Sequence, residues 1–455
     1  MDNAVYTKIN YISSDNTSIS SSSSIRGLRT VVIGLGLIYY CLLLACYYYI
    51  ISPIYAGYGM SSWMLPAWTW LLSVMLALLP LFWLPLNFTR PSDFATWFLY
   101  LFLICPSNIV IYMVTIRPVS DVVILTMSLT ASYLLFEYVR QKGVFKISAL
   151  KWNTDVLFSA VLPILTMVLS IIVFYYANFE FNFSLESIYE RRLVARYALI
   201  SAPISRYMTA SLMSVCVPVM LVYAFENRRW YYIGIVVFAV MVIFSFEGSK
   251  GMIARPFLLL LAYYMVTRHR ERAGLWLLIT FIIIVGLSIL EEYIIGSNRI
   301  AVIIVRRQMF LTSQLTAYYW EFFSSNPFVM MKDSIIGWFI PVESNYSIQR
   351  SLLIGFEYLF NIEANANANI WATGFADFGY LGMAITSIIA ALILKLFDGA
   401  SKDKFIFASV CCASIGATWV NGALYTSLLT NGVLGLLLSF WLYPSNIGHR
   451  KPDMP

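Results

Sequence analysis

Apolar residues run along this chain in long blocks, and the polar and charged residues gather between the blocks. A block of roughly 20 apolar residues is what a helix needs to cross about 30 Å of hydrocarbon. Twelve such blocks are read at 30–52, 67–87, 94–115, 119–138, 155–177, 207–225, 231–246, 257–267, 274–295, 375–397, 405–421 and 425–443. The block at 257–267 is short and is expected to extend back through Met252. The pattern predicts an all-α integral membrane protein of about 12 transmembrane helices. A membrane domain over 30–443 then lies between a polar Ser-rich tail, 1–29, and a short tail, 444–455. The serine run is too polar to bury itself and reads as disordered. The first apolar block is too long for the core of a cleavable signal peptide, so it is expected to stay as the first helix. No internal repeat is evident.

Two segments between blocks are long enough to carry function. The first, about 178–206, contains Ser187–Glu190, which has the spacing of a capping box. A helix starting there sets Arg192 and Arg196 four residues apart on one face. Two guanidiniums so placed can hold a phosphate or diphosphate by paired hydrogen bonds. The second, about 296–374, is expected to open with a helix near 300–323 that ends at Ser324–Pro327. Leu311, Leu315, Tyr318 and Phe322 form its apolar stripe, read as a packing face.

Composition agrees with the pattern: 60% of residues are hydrophobic and 12% charged, against about 25% charged in soluble domains. The net charge of +7 is read as a membrane protein's basic inner loops rather than as a nucleic-acid surface. With the N-terminus placed in the cytoplasm, 18 of the 30 Lys and Arg fall on the inner side and 12 on the outer. The positive-inside rule favours that orientation, with both termini cytoplasmic. Nine of the outer cations form three groups: Arg191, Arg192, Arg196 and Arg206; Lys250 and Arg255; Arg299, Arg306 and Arg307. Orientation does not require them. They pair either with nearby Glu or lipid phosphate, or with an anionic substrate. Arg117, Lys332 and Arg350 stand alone, and Arg350 is expected to tolerate substitution.

The block centres hold almost no ionisable residue, which argues against a proton-coupled path through the membrane. Asp93, Asp121, Asp155 and Asp377 sit at predicted helix starts, and Glu137, Glu291 and Glu292 at predicted ends. The two histidines, His269 and His449, map to the inner side, and all six cysteines lie inside apolar blocks with no metal-type spacing. An outer site is therefore expected to be cationic, with no metal and no cofactor. There Lys and Arg neutralise a leaving anion.

Three stretches carry a resemblance. "FEGSKGMIARP", Phe246 to Pro256, resembles the short Ser-Lys/Arg-Gly motif of oligosaccharide repeat-unit (O-antigen, Wzy-type) polymerases. "RRQMFLTSQLTAYYWEFFSSNP", Arg306 to Pro327, resembles the start of their large periplasmic loop. "ANANANIWATGFADFGYLG", Ala364 to Gly382, resembles their Asn-rich stretch and its Asp-x-Gly-x-x-Gly entry to the next helix. The order of the three fits over most of 30–443. The family is similar to O-antigen ligases, which share a GT-C-like fold. Ligases carry a His in the large outer loop, whereas this chain has Asn365, Asn367 and Asn369 there. That departure favours a polymerase and leaves the general base open.

The resemblance implies a bacterial inner-membrane enzyme that works at its periplasmic face on two substrates linked to undecaprenyl pyrophosphate. A sugar hydroxyl of the acceptor unit attacks the growing chain, and lipid pyrophosphate leaves. Lys250, and Arg306 or Arg307 with Arg307 preferred, match the motif cations. Asp377 is either a base or a helix N-cap, and Lys250 is otherwise a helix C-cap. Arg191, Arg192, Arg196 and Arg255 are added as substrate contacts, and Asn365, Asn367 and Asn369 as sugar contacts. Glu190 and Glu343 are weaker base candidates. A chain-length regulator is a possible partner. The competing readings are an O-antigen ligase and a lipid-linked oligosaccharide flippase.

Overall fold

The computed structural model describes residues 27–62, 65–143, 145, 154–179, 181, 203–247, 250–334, 337, 341, 343–360, 364–399 and 404–443. Both expected tails, apart from residues 27–29, and most of the 178–206 segment lie outside this set. The first helix begins at Gly27, inside the expected tail.

Among the described residues the protein is all helical. In chain order the helices are α1 (Gly27–Tyr58), α2 (Ala67–Phe82), α3 (Asp93–Val114), α4 (Val119–Gln141), α5 (Leu157–Tyr176) and α6 (Tyr207–Glu226). Then come α7 (Tyr231–Glu247), α8 (Lys250–Arg268), α9 (Arg270–Ile295) and α10 (301–323). The last four are α11 (Arg350–Leu359), α12 (Ile370–Gly399), α13 (Phe405–Val420) and α14 (Leu424–Leu442). Eight of these are long and apolar enough to cross a membrane (α1, α3, α4, α5, α6, α9, α12 and α14), and α2, α7 and α13 are shorter apolar helices. The short block expected at 257–267 is part of a 19-residue helix that starts at Lys250. Lys250 therefore opens a helix rather than closing one. This is a membrane-embedded helical protein.

The core is built around α3. Every residue of α3 is buried, including Ser107 and Asn108, so this helix has no face left for lipid. A helix apolar on all sides needs such enclosure. It packs along α13, and its second half lies against α10. The helix α10 falls in the segment expected as an outer loop, yet Thr312 to Trp320 are all buried. The apolar stripe does pack. The polar face is buried too, because each group there finds a partner: Ser313 accepts from Ser107 at 3.0 Å, and Gln314 donates to the Tyr58 carbonyl at 2.8 Å.

One end of the bundle is locked by charge. Arg140 on α4 donates to Asp93 on α3 at 2.8 Å and to Glu137 at 2.5 Å, and all three side chains are at most 3% exposed. Asp398, near the end of α12, accepts from the Ser92 amide and hydroxyl at 3.0 and 2.7 Å. Arg29, Arg90 and Arg270 reach backbone carbonyls at this same end. Breaking a buried pair of this kind costs about 3–5 kcal/mol. The network fixes how α3, α4 and α12 meet, which sets the opposite end where the candidate site lies.

Candidate functional site

The opposite end is shaped by a break in α12. Phe378 (φ −147°, ψ 28°) and Gly379 (φ 61°, ψ −146°) leave helical geometry, and the chain turns back on itself there. Trp371 donates through its indole N–H to Ser387 at 2.8 Å. Sixteen residues of straight helix would set these about 24 Å apart. Ile370 to Asp377 is thus a short helix laid back against the first turns of the longer one. Gly379 supplies a backbone conformation that is open essentially to glycine alone. Gly374 and Gly382 meet across the fold, where a Cβ built on Gly382 would stand 1.9 Å from the Gly374 carbonyl oxygen.

The Asn-rich stretch leads into this hairpin as irregular chain, tightened by a hydrogen bond from the Asn367 amide to the Asn365 carbonyl at 3.0 Å, and burial alternates along it. Ala366 and Ala368 point inward, 2% and 1% exposed, while Asn365 and Asn367 line a cavity. Asn369 departs from the alternation. It is fully buried, its side-chain oxygen accepts the amides of Trp371 and Ala372 at 3.0 Å, and its amide donates to Thr316 at 2.6 Å. It is the N-cap of α12, and that duty occupies its side chain.

Asp377 stands at the break. Its Oδ1 accepts the Met331 amide at 2.7 Å and pairs with Arg350 at 2.8 Å. It stands just before the longer helix that follows Gly379, and the hydrogen bonds described for its carboxylate go to Met331 and Arg350 rather than to the first amides of that helix. Arg350, set apart in the sequence as a lone cation, is the centre of the site. It opens α11, is 7% exposed in its side chain, and donates from Nε to both oxygens of Asp333 at 2.8–2.9 Å and from Nη1 to the Thr373 carbonyl at 2.9 Å. Burial alone would raise the Asp333 carboxyl, but the hydrogen bonds and charge of Arg350 outweigh it and hold the group below the usual carboxylate range. Burial likewise works against the Arg350 guanidinium, and the two carboxylates more than offset it. Nothing in the sequence placed Asp333 or Arg350 here. Their separation of 17 residues, across a segment without regular pattern, carries no periodicity signal.

The cavity bounded by these groups has a volume of about 100 Å³, and Ala423 from the turn before α14, with Tyr425 and Thr426 from the first turn of α14, closes it. The same turn reaches α10. Asn421 approaches Gln308, neighbour of Arg307, at 3.4 Å. One turn down α13, Arg255 from α8 donates to Ser414 at 2.8 Å and Thr418 at 2.9 Å, and to Ser214 of α6 at 3.2 Å. Its hydrogen-bond partners are all neutral oxygens, and its Nε is buried with no partner. The adjacent arginines of α10 diverge: Arg307 is exposed, whereas Arg306 lies 3.6 Å over the Tyr55 ring of α1. Neighbours on a helix point roughly 100° apart, which separates the two. Glu343 is exposed and does not line the cavity. The side chain of Lys250, and Glu190, Arg191, Arg192 and Arg196 entirely, lie outside the described residues.

No protein-family model, curated protein or solved structure matches this chain.

Proposed function

We propose that this protein is a repeat-unit polymerase of the O-antigen type. It joins oligosaccharide units carried on undecaprenyl pyrophosphate at the outer face of the bacterial inner membrane. Twelve crossings and a GT-C-like arrangement belong to this proposal, as does the cytoplasmic placement of both termini. The observation that carries it is convergence on one short stretch of chain. Residues from three separate segments meet 414–426: Arg255 on Ser414 and Thr418, Gln308 on Asn421, and the Asn365, Asn367 and Asp377 cavity on Tyr425.

The chemistry divides over that stretch. Arg255 and Arg307, with Lys250, take the diphosphate as it leaves. Each donor aimed at developing charge in a dry site is worth roughly 2.7–4 kcal/mol of barrier. On the other side the acceptor hydroxyl forms its bond to the anomeric carbon as the carbon–oxygen bond to the diphosphate breaks. Asp377 takes the proton in this reading: it lines the cavity, and the two hydrogen bonds described for its carboxylate both fall on Oδ1. The lipid diphosphate departs with the bonding pair. Cations around neutral hydroxyls at one end, rather than along a path through the bundle, favour transfer over flipping.

Deleting the gene and displaying the surface glycan tests this. A polymerase deletion is expected to reduce the ladder to a single repeat unit, and Arg255→Ala or Arg307→Ala to do the same at normal protein levels. Finished polymer held on the lipid carrier would mean a ligase. No unit at the surface would mean a flippase, and an unchanged ladder would remove the proposal.

A further inference from the structure

We propose that the cavity around Arg350 binds one uncharged, hydroxyl-rich sugar ring and turns the diphosphate away. Calling that ring the acceptor rests on the polymerase reading, whereas its binding does not. Arg350 is by residue type a phosphate ligand, but its donors are spent. A guanidinium has five N–H groups. Four are engaged here, by Asp333 at Nε and Nη2, Asp377 at Nη2 and Thr373 at Nη1. An entering phosphate would face two carboxylates and a single remaining N–H. Like charge at such a distance is repulsive, and the low-dielectric walls strengthen the repulsion.

The rest of the lining is neutral and both donates and accepts. Asn365, Asn367, Gln349, Ser334 and Thr426 offer amides and hydroxyls, the groups that match the mixed donor and acceptor pattern of a sugar. Tyr425 supplies an independent observation. It lines the cavity, is 7% exposed, and its phenolic oxygen is buried with no hydrogen-bond partner. A buried hydroxyl left unpaired is unfavourable, and a ligand hydroxyl would satisfy it. The volume of about 100 Å³ suits the hydroxyl face of one ring and not an oligosaccharide chain. Arg350 is a positioning residue in this scheme, holding Asp333 and Asp377 apart and in register with the asparagines.

The test uses the full chain in lipid nanodiscs. Its probe is the oligosaccharide released by mild acid from the host's surface glycan, free of lipid and diphosphate. Saturation-transfer NMR is expected to show binding to the wild-type protein. Tyr425→Phe and Asn365→Ala should each weaken it about tenfold, the loss of one well-made hydrogen bond, with elution profile and thermal midpoint unchanged. Inorganic pyrophosphate is expected not to compete. Absence of binding, equal affinity in wild type and both variants, or displacement by pyrophosphate would each overturn the assignment. If one variant fails to fold, the other decides. An unchanged glycan ladder on gene deletion together with cavity-dependent binding would sink the polymerase reading and leave this site standing.

Discussion

Single side chains at the site end divide into those that hold the fold and those that face the cavity, and the pattern of the sequence tells only some of them apart. The three asparagines look alike in the sequence. Alternation with buried alanines directs Asn365 and Asn367 to the cavity, while Asn369 is drawn inward because a helix begins at Ile370 and its first amides need an acceptor. The Asp333–Arg350–Asp377 group was illegible for a different reason, since ion pairing between distant irregular segments leaves no trace in local spacing. Its energetics are testable through pH. The depressed Asp333 carboxyl binds its proton less readily folded than unfolded, so its stabilisation is complete above the unfolded value of about 3.9. It is lost as pH falls from there through the lower folded value. Asp333→Asn is expected to cost on the order of 2 kcal/mol at pH 7, and to flatten the fall of the thermal midpoint in that acid window relative to wild type. An acid slope identical in the two proteins would show that Arg350 draws nothing from Asp333.

At the scale of elements, all twelve apolar blocks coincide with helices, because long apolar runs leave a chain few other ways to satisfy its backbone. What the blocks do not reveal is enclosure and reversal. The helix 301–323 looks like a surface amphipath because its polar face is rich in Thr, Ser and Gln, yet small hydroxyls and an amide can be buried when each finds a partner. The reversal at Gly379 hangs on one residue's positive φ, and a glycine in a sequence does not announce which conformation it takes. The close approach of Gly374 and Gly382 is equally specific. A Cβ at Gly382 would stand 1.9 Å from a backbone oxygen, so the hairpin must open to admit it. Gly382→Ala is therefore expected to lower stability by about 1–3 kcal/mol, the range for overpacking, and to abolish polymer by shifting Asp377. Gly286→Ala, with nothing within 4 Å of the added methyl, is the matched control and is expected to leave both unchanged. A normal ladder from Gly382→Ala would mean that the folded-back helix does not position the site.

For the whole molecule, the charge asymmetry of the loops and the contacts of the fold pick out the same two ends. Arg29, Arg90, Arg140 and Arg270 anchor one end through carbonyls and buried carboxylates, and the cavity with Asp333, Arg350 and Asp377 stands at the other. Positive residues crowd the cytoplasmic ends of membrane proteins because translocating them is unfavourable, so the cavity end is expected to face the periplasm. Two positions report on this directly. Met330, 39% exposed, adjoins the residue whose amide holds Asp377, and Phe145, 40% exposed, lies 5.1 Å from Lys395 at the charged end. In a background without the six native cysteines, Met330→Cys is expected to react in intact spheroplasts with a thiol reagent that cannot cross the membrane. Phe145→Cys should react only after the membrane is permeabilised. The reverse pattern would put the cavity in the cytoplasm, where a periplasmic polymerase has no use for it. A sugar pocket on that side would then serve assembly of the repeat unit on its lipid rather than its polymerisation.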